Sequence, residues 1–106
     1  AAEFFRTKGY RLVETNWRPR KGGGELDLIC ETRGALVIVE VKSRDRSSPD
    51  FPSEANITPA KIHQLQRLTA RYVASHPAWQ TKSVQIDVVA VDGDAVRHWP
   101  RAIGAT

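Results

Sequence analysis

The sheet of this protein can be predicted from one stretch, ELDLICETRGALVIVEVK, which covers residues 25–42. Its two apolar runs, 25–30 and 35–42, are rich in residues that favour β-strands. Residues 31–34 between them include a glycine and predict a short hairpin connection. Two neighbouring strands joined by a tight turn are therefore expected.

Side chains in a strand point alternately to opposite faces of the sheet. In the first of these strands we expect one face to carry Glu25, Asp27 and Ile29 and the other to carry Leu26 and Leu28. In the second strand we expect one face to carry Leu36, Ile38, Glu40 and Lys42 and the other to carry Val37, Val39 and Val41.

The rest of the pattern predicts an α/β fold, with one mixed central sheet flanked by helices. In chain order we expect a helix over 1–8, strands over 10–15, 25–30 and 35–42, a helix over 58–75, and strands over 84–91 and 95–99. Gly9 would end the first helix, and Thr58 followed by Pro59 is a typical helix start. Loops are expected over 16–24 and 43–56, where glycine and proline are concentrated.

Length and composition limit the class of protein. The 106 residues suit a single domain over 1–106. The first helix lacks a start signal, so we expect its beginning to lie upstream. The single cysteine, Cys30, excludes a disulfide framework and a multi-cysteine zinc site, and it favours a reducing, cytoplasmic compartment. Since no apolar run approaches the roughly 20 residues of a membrane span, no membrane partner is expected.

Basic residues outnumber acidic ones by 16 to 12, which gives a formal net charge of +4. They flank an acidic centre of the chain, in residues 6–21 on one side and 55–86 on the other. This mild excess favours a polyanionic partner such as nucleic acid, although either flank alone also fits a solvated surface.

Charged side chains inside the predicted strands are the candidates for chemistry. If the two strands pair, Asp27 lies beside Glu40, with Lys42 on the same face. Adjacent carboxylates repel each other, and a divalent cation removes the conflict. Mg²⁺ takes oxygen ligands and needs only one or two carboxylates when a phosphate is present. The backbone carbonyl of Val41 is a further candidate ligand.

Lys42 would then stabilise charge on a phosphate and position water. The alternative interpretation of the same three side chains is a salt-bridged strand end without metal, in which Lys42 pairs with Glu40 or Asp27.

Two motifs resemble the signature of the YraN-like family of uncharacterised bacterial proteins, namely Gly24-Glu25-Leu26-Asp27-Leu28-Ile29 and Val39-Glu40-Val41-Lys42-Ser43-Arg44. Further matching segments are Lys8-Gly9-Tyr10, Asn16-Trp17-Arg18, the helix over 57–72, and Ile86-Asp87-Val88-Val89. That family is similar to the archaeal Holliday-junction resolvases, within the PD-(D/E)XK restriction-endonuclease-like superfamily.

The resemblance implies a restriction-endonuclease-like core and a metal-dependent DNA endonuclease, with branched or junction DNA as a candidate substrate. It implies that Asp27 and Glu40 bind Mg²⁺ or Mn²⁺ and that Lys42 completes the catalytic site. Relatives carry a further acid on the first helix. Glu3 is the candidate there, although the family's acid is expected about one turn earlier, and Glu25 is a weaker candidate.

Residues around this site are candidates for contact with nucleic acid: Arg18, Arg20, Lys21, Arg44, Lys61 and Gln64. Trp17, in the predicted loop, either stacks on a base or packs into the core. Two other functions stay open, a non-catalytic nucleic-acid-binding module with the same fold and an interaction domain of a larger DNA-processing machine. A two-fold homodimer also stays open, because junction resolvases cut two strands symmetrically.

Other polar groups are expected to be structural. Asp87 lies between apolar residues of a predicted strand, so we expect it to be buried and held by a basic partner. Cys30 is expected to be a small core residue. The three histidines, His63, His76 and His98, show no zinc spacing.

Overall fold

The computed structural model describes residues 1–43 and 57–106. Its helices are α1 (Ala2–Thr7) and α2 (Pro59–Ala74), with a 3-10 turn at Pro77–Trp79 that the sequence pattern did not predict. Its strands are β1 (Arg11–Trp17), β2 (Leu26–Thr32), β3 (Ala35–Ser43), β4 (Val84–Asp92) and β5 (Ala95–Ile103). The predicted order of helices and strands is confirmed.

The five strands form one mixed sheet in the order β1-β2-β3-β4-β5. β3 and β4 run parallel, and the other neighbours run antiparallel. A parallel pair needs a long crossover connection, and α2 lies in that connection. The α/β class with a mixed sheet is therefore confirmed.

In the described parts of the chain, each face of the sheet is covered by one helix. The α2-side core joins α2 to the sheet, and its central members are Leu36, Ile38, Leu65, Leu68, Tyr72, Ile86 and Val88. The α1-side core packs Phe5 of α1 against Leu28, Cys30, Val37, Val39 and Val89. Neither helix is long and apolar enough to cross a membrane.

The alternation predicted for β3 is confirmed, since Leu36 and Ile38 lie in the α2-side core while Val37 and Val39 lie in the α1-side core. The alternation predicted for β2 is wrong at its start. Leu26 lies in the α2-side core, whereas Leu28 lies in the α1-side core. The paired register of β2 with β3 begins at Leu28, so the first residues of β2 are not fixed by β3.

Two predicted boundaries are corrected at β1 and at the hairpin. β1 continues to Trp17, which pairs with Leu26, because Asn16 adopts a left-handed φ of 51° that asparagine tolerates. β2 continues to Thr32, so the connection to β3 has only two residues, Arg33 and Gly34. Both have positive φ, 49° and 80°, as the type I′ turn requires.

The last strand is longer than the predicted 95–99, because an irregularity lets it continue. Ile86 pairs with Ile103 and Val88 with Trp99, so β5 carries extra residues opposite Asp87. Asp87 is fully buried and accepts hydrogen bonds from the backbone N–H of Arg101, at 3.0 Å, and from Nε2 of His98, at 2.7 Å. The buried Asp87 thus has a structural partner, His98, and holds the bulge of β5.

Candidate functional site

The start of β2 and the end of β3 bring two carboxylates together at one end of the sheet. Asp27 lies one residue before Leu28, the first residue of β2 that pairs with β3. Its Oδ2 accepts a hydrogen bond of 3.0 Å from the backbone N–H of Val41. The Asp27 carboxylate therefore accepts from Val41 in place of a backbone carbonyl of a neighbouring strand. This hydrogen bond holds Asp27 next to Glu40.

Glu40 is only 7% exposed. Among the described residues, no hydrogen-bond partner reaches its buried Oε1. Burial raises the pKa of the Glu40 carboxyl above its ordinary value, and the negative charge of Asp27 acts in the same direction. The predicted juxtaposition of the two acids is thus present, and one oxygen of the pair lacks a partner.

Lys61 of α2 offsets part of this negative charge. Its Nζ lies 3.4 Å from Oε2 of Glu40 and donates to Oε1 of Gln64 at 3.1 Å. Thr58 fixes the position of this turn, because its hydroxyl accepts from the backbone N–H of Lys61 at 3.2 Å. The start of α2 therefore brings the cation Lys61 to the carboxylates, with Gln64 beside it. Both residues were predicted to contact nucleic acid.

Gln64 connects this turn to the loop before β2. Its Nε2 donates to the carbonyl of Gly23 at 3.2 Å. A Cβ at Gly24 would lie 2.6 Å from Nε2 of Gln64 and 3.1 Å from Cδ1 of Leu68, and Gly24 has a φ of 119°. Glycine is therefore needed where the loop crosses α2, one residue before Glu25.

Lys42 lies two residues beyond Glu40 on β3, so strand alternation places it on the same face of the sheet. Its backbone is paired with Ala90 of β4, and its side chain is half-buried. Val41 points the other way, against the α1-side core. The backbone of Val41, which was predicted to offer a ligand oxygen, lies directly between the two charged residues.

The two further acids proposed from the sequence have other partners. Glu3 is exposed on α1 and lies 3.5 Å from Arg6. Glu25 accepts from Nδ2 of Asn16 at 2.8 Å and from Arg18 at 3.3 Å, and the hydrogen bond from Asn16 is the main cause that lowers its pKa. In the described parts of the chain, no group of three or more His, Cys, Asp and Glu residues is placed to hold a metal.

The predicted basic loop forms one wall of a cavity of about 410 Å³. The cavity is lined by Trp17, Arg18, Pro19, Arg20, Lys21, Arg71 and Ser75. Trp17 also packs edge-on against Tyr72, with ring centroids 5.1 Å apart, so it belongs to both the core and the cavity. Arg44, another predicted contact, lies outside the described residues.

Two contributors were missed by sequence reasoning. Arg71, in the basic flank over 55–86 that also fits a solvated surface, lines this cavity and approaches the carbonyl of Gly22 at 3.5 Å. Asn16 orients Glu25 across the β1–β2 connection. Helical spacing places Arg71 two turns after Gln64, which is the signal that could have linked it to the loop.

A comparison with protein-family models matches residues 1–91 to the description "Uncharacterised protein family UPF0102". The match runs from α1 through nearly all of β4 and includes Asp27, Glu40 and Lys42. The chain belongs to the UPF0102 family. The predicted membership of the YraN-like family is thereby confirmed.

Several UPF0102 proteins are similar to this chain over most of its length. A UPF0102 protein of Beutenbergia cavernae is 43% identical over 91 residues, which cover 86% of this chain and 74% of the relative. One of Syntrophomonas wolfei is 40% identical over 91 residues, covering 86% and 76%. One of Clavibacter michiganensis is 41% identical over 101 residues, covering 95% and 77%.

Proposed function

We propose that this UPF0102 protein is a metal-dependent nuclease that hydrolyses phosphodiester bonds in DNA, built on a restriction-endonuclease-like core. The observation that carries the proposal is the buried Oε1 of Glu40, which lacks a hydrogen-bond partner among the described residues while Asp27 lies beside it. A buried carboxylate oxygen without a donor is costly, and a cation is the partner that two adjacent carboxylates favour.

The residues present fit Mg²⁺ or Mn²⁺. Both ions take carboxylate, carbonyl and water oxygens, and Mg²⁺ sites often use one or two carboxylates together with substrate phosphates. Asp27 and Glu40 would supply the carboxylates, and the Val41 carbonyl is a third candidate. The lack of nitrogen or sulfur ligands in this group disfavours Zn²⁺. A bound ion would polarise the phosphate and lower the pKa of an attacking water.

The chain's own cations would act on the phosphate. Lys42, on the face of Glu40, is placed to stabilise negative charge that develops in the transition state. Lys61, 3.4 Å from Glu40, would add a second positive charge from α2. Asp27 keeps its acceptor role toward Val41, which orients the carboxylate for binding.

The basic loop supplies the reason to propose DNA as the substrate. Arg18, Arg20 and Lys21 line one cavity in the loop that leads to β2, and such side chains bind backbone phosphates without reading sequence. A preference for branched or junction DNA, and action as a two-fold dimer, rest on the resemblance to junction resolvases alone.

A cleavage panel tests this function. Linear, flapped and four-way DNA would be incubated with Mg²⁺ or Mn²⁺ and three proteins: wild type, Asp27→Asn, and the control Asp94→Asn in the exposed β4–β5 turn. We expect metal-dependent cleavage by wild type and by the control, and a loss of at least a hundredfold in Asp27→Asn. Cleavage that persists in Asp27→Asn or in excess EDTA would exclude this site as its source.

The second candidate function is a non-catalytic nucleic-acid-binding module. It is favoured by one observation: the described residues bring two carboxylates together, while Glu3 and Glu25 have other partners. DNA binding by a wild type that cleaves none of the panel with either metal would support this function.

A further inference from the structure

A second group of cations lies at the opposite end of the sheet from Asp27 and Glu40. Arg33, in the β2–β3 turn, stands about 20 Å from Asp27 along β2, at a rise of about 3.3 Å per residue. Arg33 lines a cavity of about 360 Å³, together with Lys8, Tyr10, Gln85 and Arg101. Below, this space is called the hairpin cavity.

We propose that the hairpin cavity binds a phosphate group. The proposal concerns a separate site and does not depend on nuclease activity. Three cations from three different segments, Lys8, Arg33 and Arg101, converge on one space. In the described residues, no salt bridge engages either arginine. Guanidinium groups offer several donors in a fork that suits phosphate oxygens.

The backbone holds both arginines in a conformation that arginine rarely adopts. Arg33 has a φ of 49° and Arg101 a φ of 51°. The first central position of a type I′ turn is usually occupied by asparagine, aspartate or glycine. Other residue types are strained in the left-handed backbone conformation. Two arginines with a strained backbone line the same cavity, which indicates that their side chains have a function there.

A buried network fixes the backbone of Arg101. Asp87 accepts the backbone N–H of Arg101 and thereby holds the bulge of β5. Bulges often re-aim a side chain toward a site. Tyr10 lines the same cavity as Arg33 and Arg101, which places all three side chains around one space.

The same network gives Lys8 a defined position. Nζ of Lys8 lies 3.2 Å from Nδ1 of His98, whose Nε2 faces Asp87 at 2.7 Å. An ammonium can only donate, so Nδ1 accepts and Nε2 carries the proton toward Asp87. The ammonium of Lys8 is thus held at the cavity, where it also lies 4.9 Å from the centroid of the Phe4 ring.

The cavity has room for more than an inorganic anion. An adjacent cavity of about 390 Å³ shares Thr32, Arg33, Gln85 and Arg101 with it. Volumes in this range are typical of small-molecule sites. The phosphate could therefore belong to a small phosphorylated molecule such as a mononucleotide, or to the backbone of a bound nucleic acid.

Binding measurements in EDTA test the proposal, because without metal the probes cannot bind through an ion at the candidate active site. The probes are inorganic phosphate, adenosine monophosphate and a short DNA duplex. The variants are Arg33→Asn and Arg101→Asn. Because asparagine tolerates positive φ, both variants should show an unchanged or higher Tm in thermal melts. The control is Arg97→Gln on the same strand, whose guanidinium lies over the ring of Trp99 at 5.4 Å.

We expect phosphate-bearing probes to bind wild type and Arg97→Gln equally, and to bind Arg33→Asn and Arg101→Asn at least about tenfold more weakly. If Arg33→Asn and Arg101→Asn bind the duplex more weakly, and inorganic phosphate competes with the duplex for wild type, the phosphate bound in the hairpin cavity belongs to a nucleic-acid backbone. If these variants bind the duplex as wild type does but bind the mononucleotide more weakly, the phosphate belongs to a small molecule. The proposal fails if none of the three probes binds Arg33→Asn less tightly than it binds Arg97→Gln.

Discussion

Glu40 combines burial with a neighbouring negative charge, and both raise the pKa of its carboxyl in the folded protein. A carboxyl whose folded pKa is raised contributes stability below its ordinary value near 4.5, and that stability is lost as the pH rises through the folded value. The Glu40 carboxyl therefore makes the metal-free fold less stable at neutral pH than below its ordinary pKa. We expect Glu40→Gln to raise the Tm of the metal-free protein by a few degrees at pH 7.

Thermal melts in EDTA from about pH 3.5 to about pH 8 measure this effect. This range begins about one unit below the ordinary pKa of a glutamate carboxyl and ends several units above it. The Tm advantage of Glu40→Gln should shrink toward zero at the acidic limit. Glu31→Gln is the control, because Glu31 pairs with Arg11 at the surface and should not gain stability on neutralisation. A Glu40→Gln variant less stable than wild type at pH 7 would mean that its ion pair with Lys61 dominates.

Cys30 provides a second prediction at the residue scale. Burial in the α1-side core raises the pKa of its thiol to about 11. The reactive thiolate is therefore scarce at pH 8, and the sulfur is also shielded from reagents. We expect iodoacetamide to leave native Cys30 unmodified over hours and to alkylate it fully in denaturant, as measured by intact mass. Rapid modification of the native protein would contradict its place in the core.

At the scale of elements, the contact between the loop before β2 and the first turns of α2 positions the candidate site. Gly24→Ala would place a Cβ against Gln64 and Leu68 and would strain the backbone. We expect a loss of about 2–3 kcal/mol in the free energy of unfolding, measured by urea denaturation.

Gly22→Ala separates the clash from the strain. Gly22 also has a positive φ, of 78°, but a Cβ there would meet nothing within 4 Å. The substitution should cost about 1 kcal/mol, from backbone strain alone. Equal losses in the two variants would show that the approach of Gln64 to the loop does not matter for stability.

The elements also show how far sequence reasoning reaches. The period of two in β3 and the Thr58-Pro59 start of α2 predicted both elements closely, because each signal is local. The extension of β5 was missed, because it depends on Asp87 accepting the backbone of Arg101 from another strand. The end of alternation at Leu26 was missed for a similar reason, since the pairing of β2 with β3 starts only at Leu28.

The same limit applies to the site. The approach of Asp27 to Glu40 could be predicted from the pairing of two strands across a short turn, and the shared face of Glu40 and Lys42 from the alternation of β3. The pairing of Lys61 with Glu40 needs the packing of α2 on the sheet, which no local pattern encodes. The hydrogen bond of Asp27 to the backbone of Val41 depends likewise on where strand pairing stops.

At the scale of the whole molecule, the mild basic excess predicts DNA binding that depends strongly on salt. Each neutralised phosphate releases condensed counterions, so log K falls with log salt by about 0.9 per phosphate. Replacing Arg18, Arg20 and Lys21 together by glutamine should reduce this slope by about 1 for each phosphate that the variant no longer neutralises. Fluorescence anisotropy at several salt concentrations measures it, and an unchanged slope would place the binding surface elsewhere.

The metal site is the central claim, and a thermal melt with Mn²⁺ or Mg²⁺ tests it most directly. An ion that binds only the folded state stabilises it by about 2.7 kcal/mol at 100 times its Kd. Asp27→Asn keeps an oxygen that can accept from Val41, so the metal-free variant should remain folded. We predict that the ion raises the Tm of wild type and of Asp94→Asn by roughly 10 °C at that saturation and leaves Asp27→Asn unchanged. Equal shifts in all three proteins, or no shift in wild type, would contradict a metal site at Asp27 and Glu40.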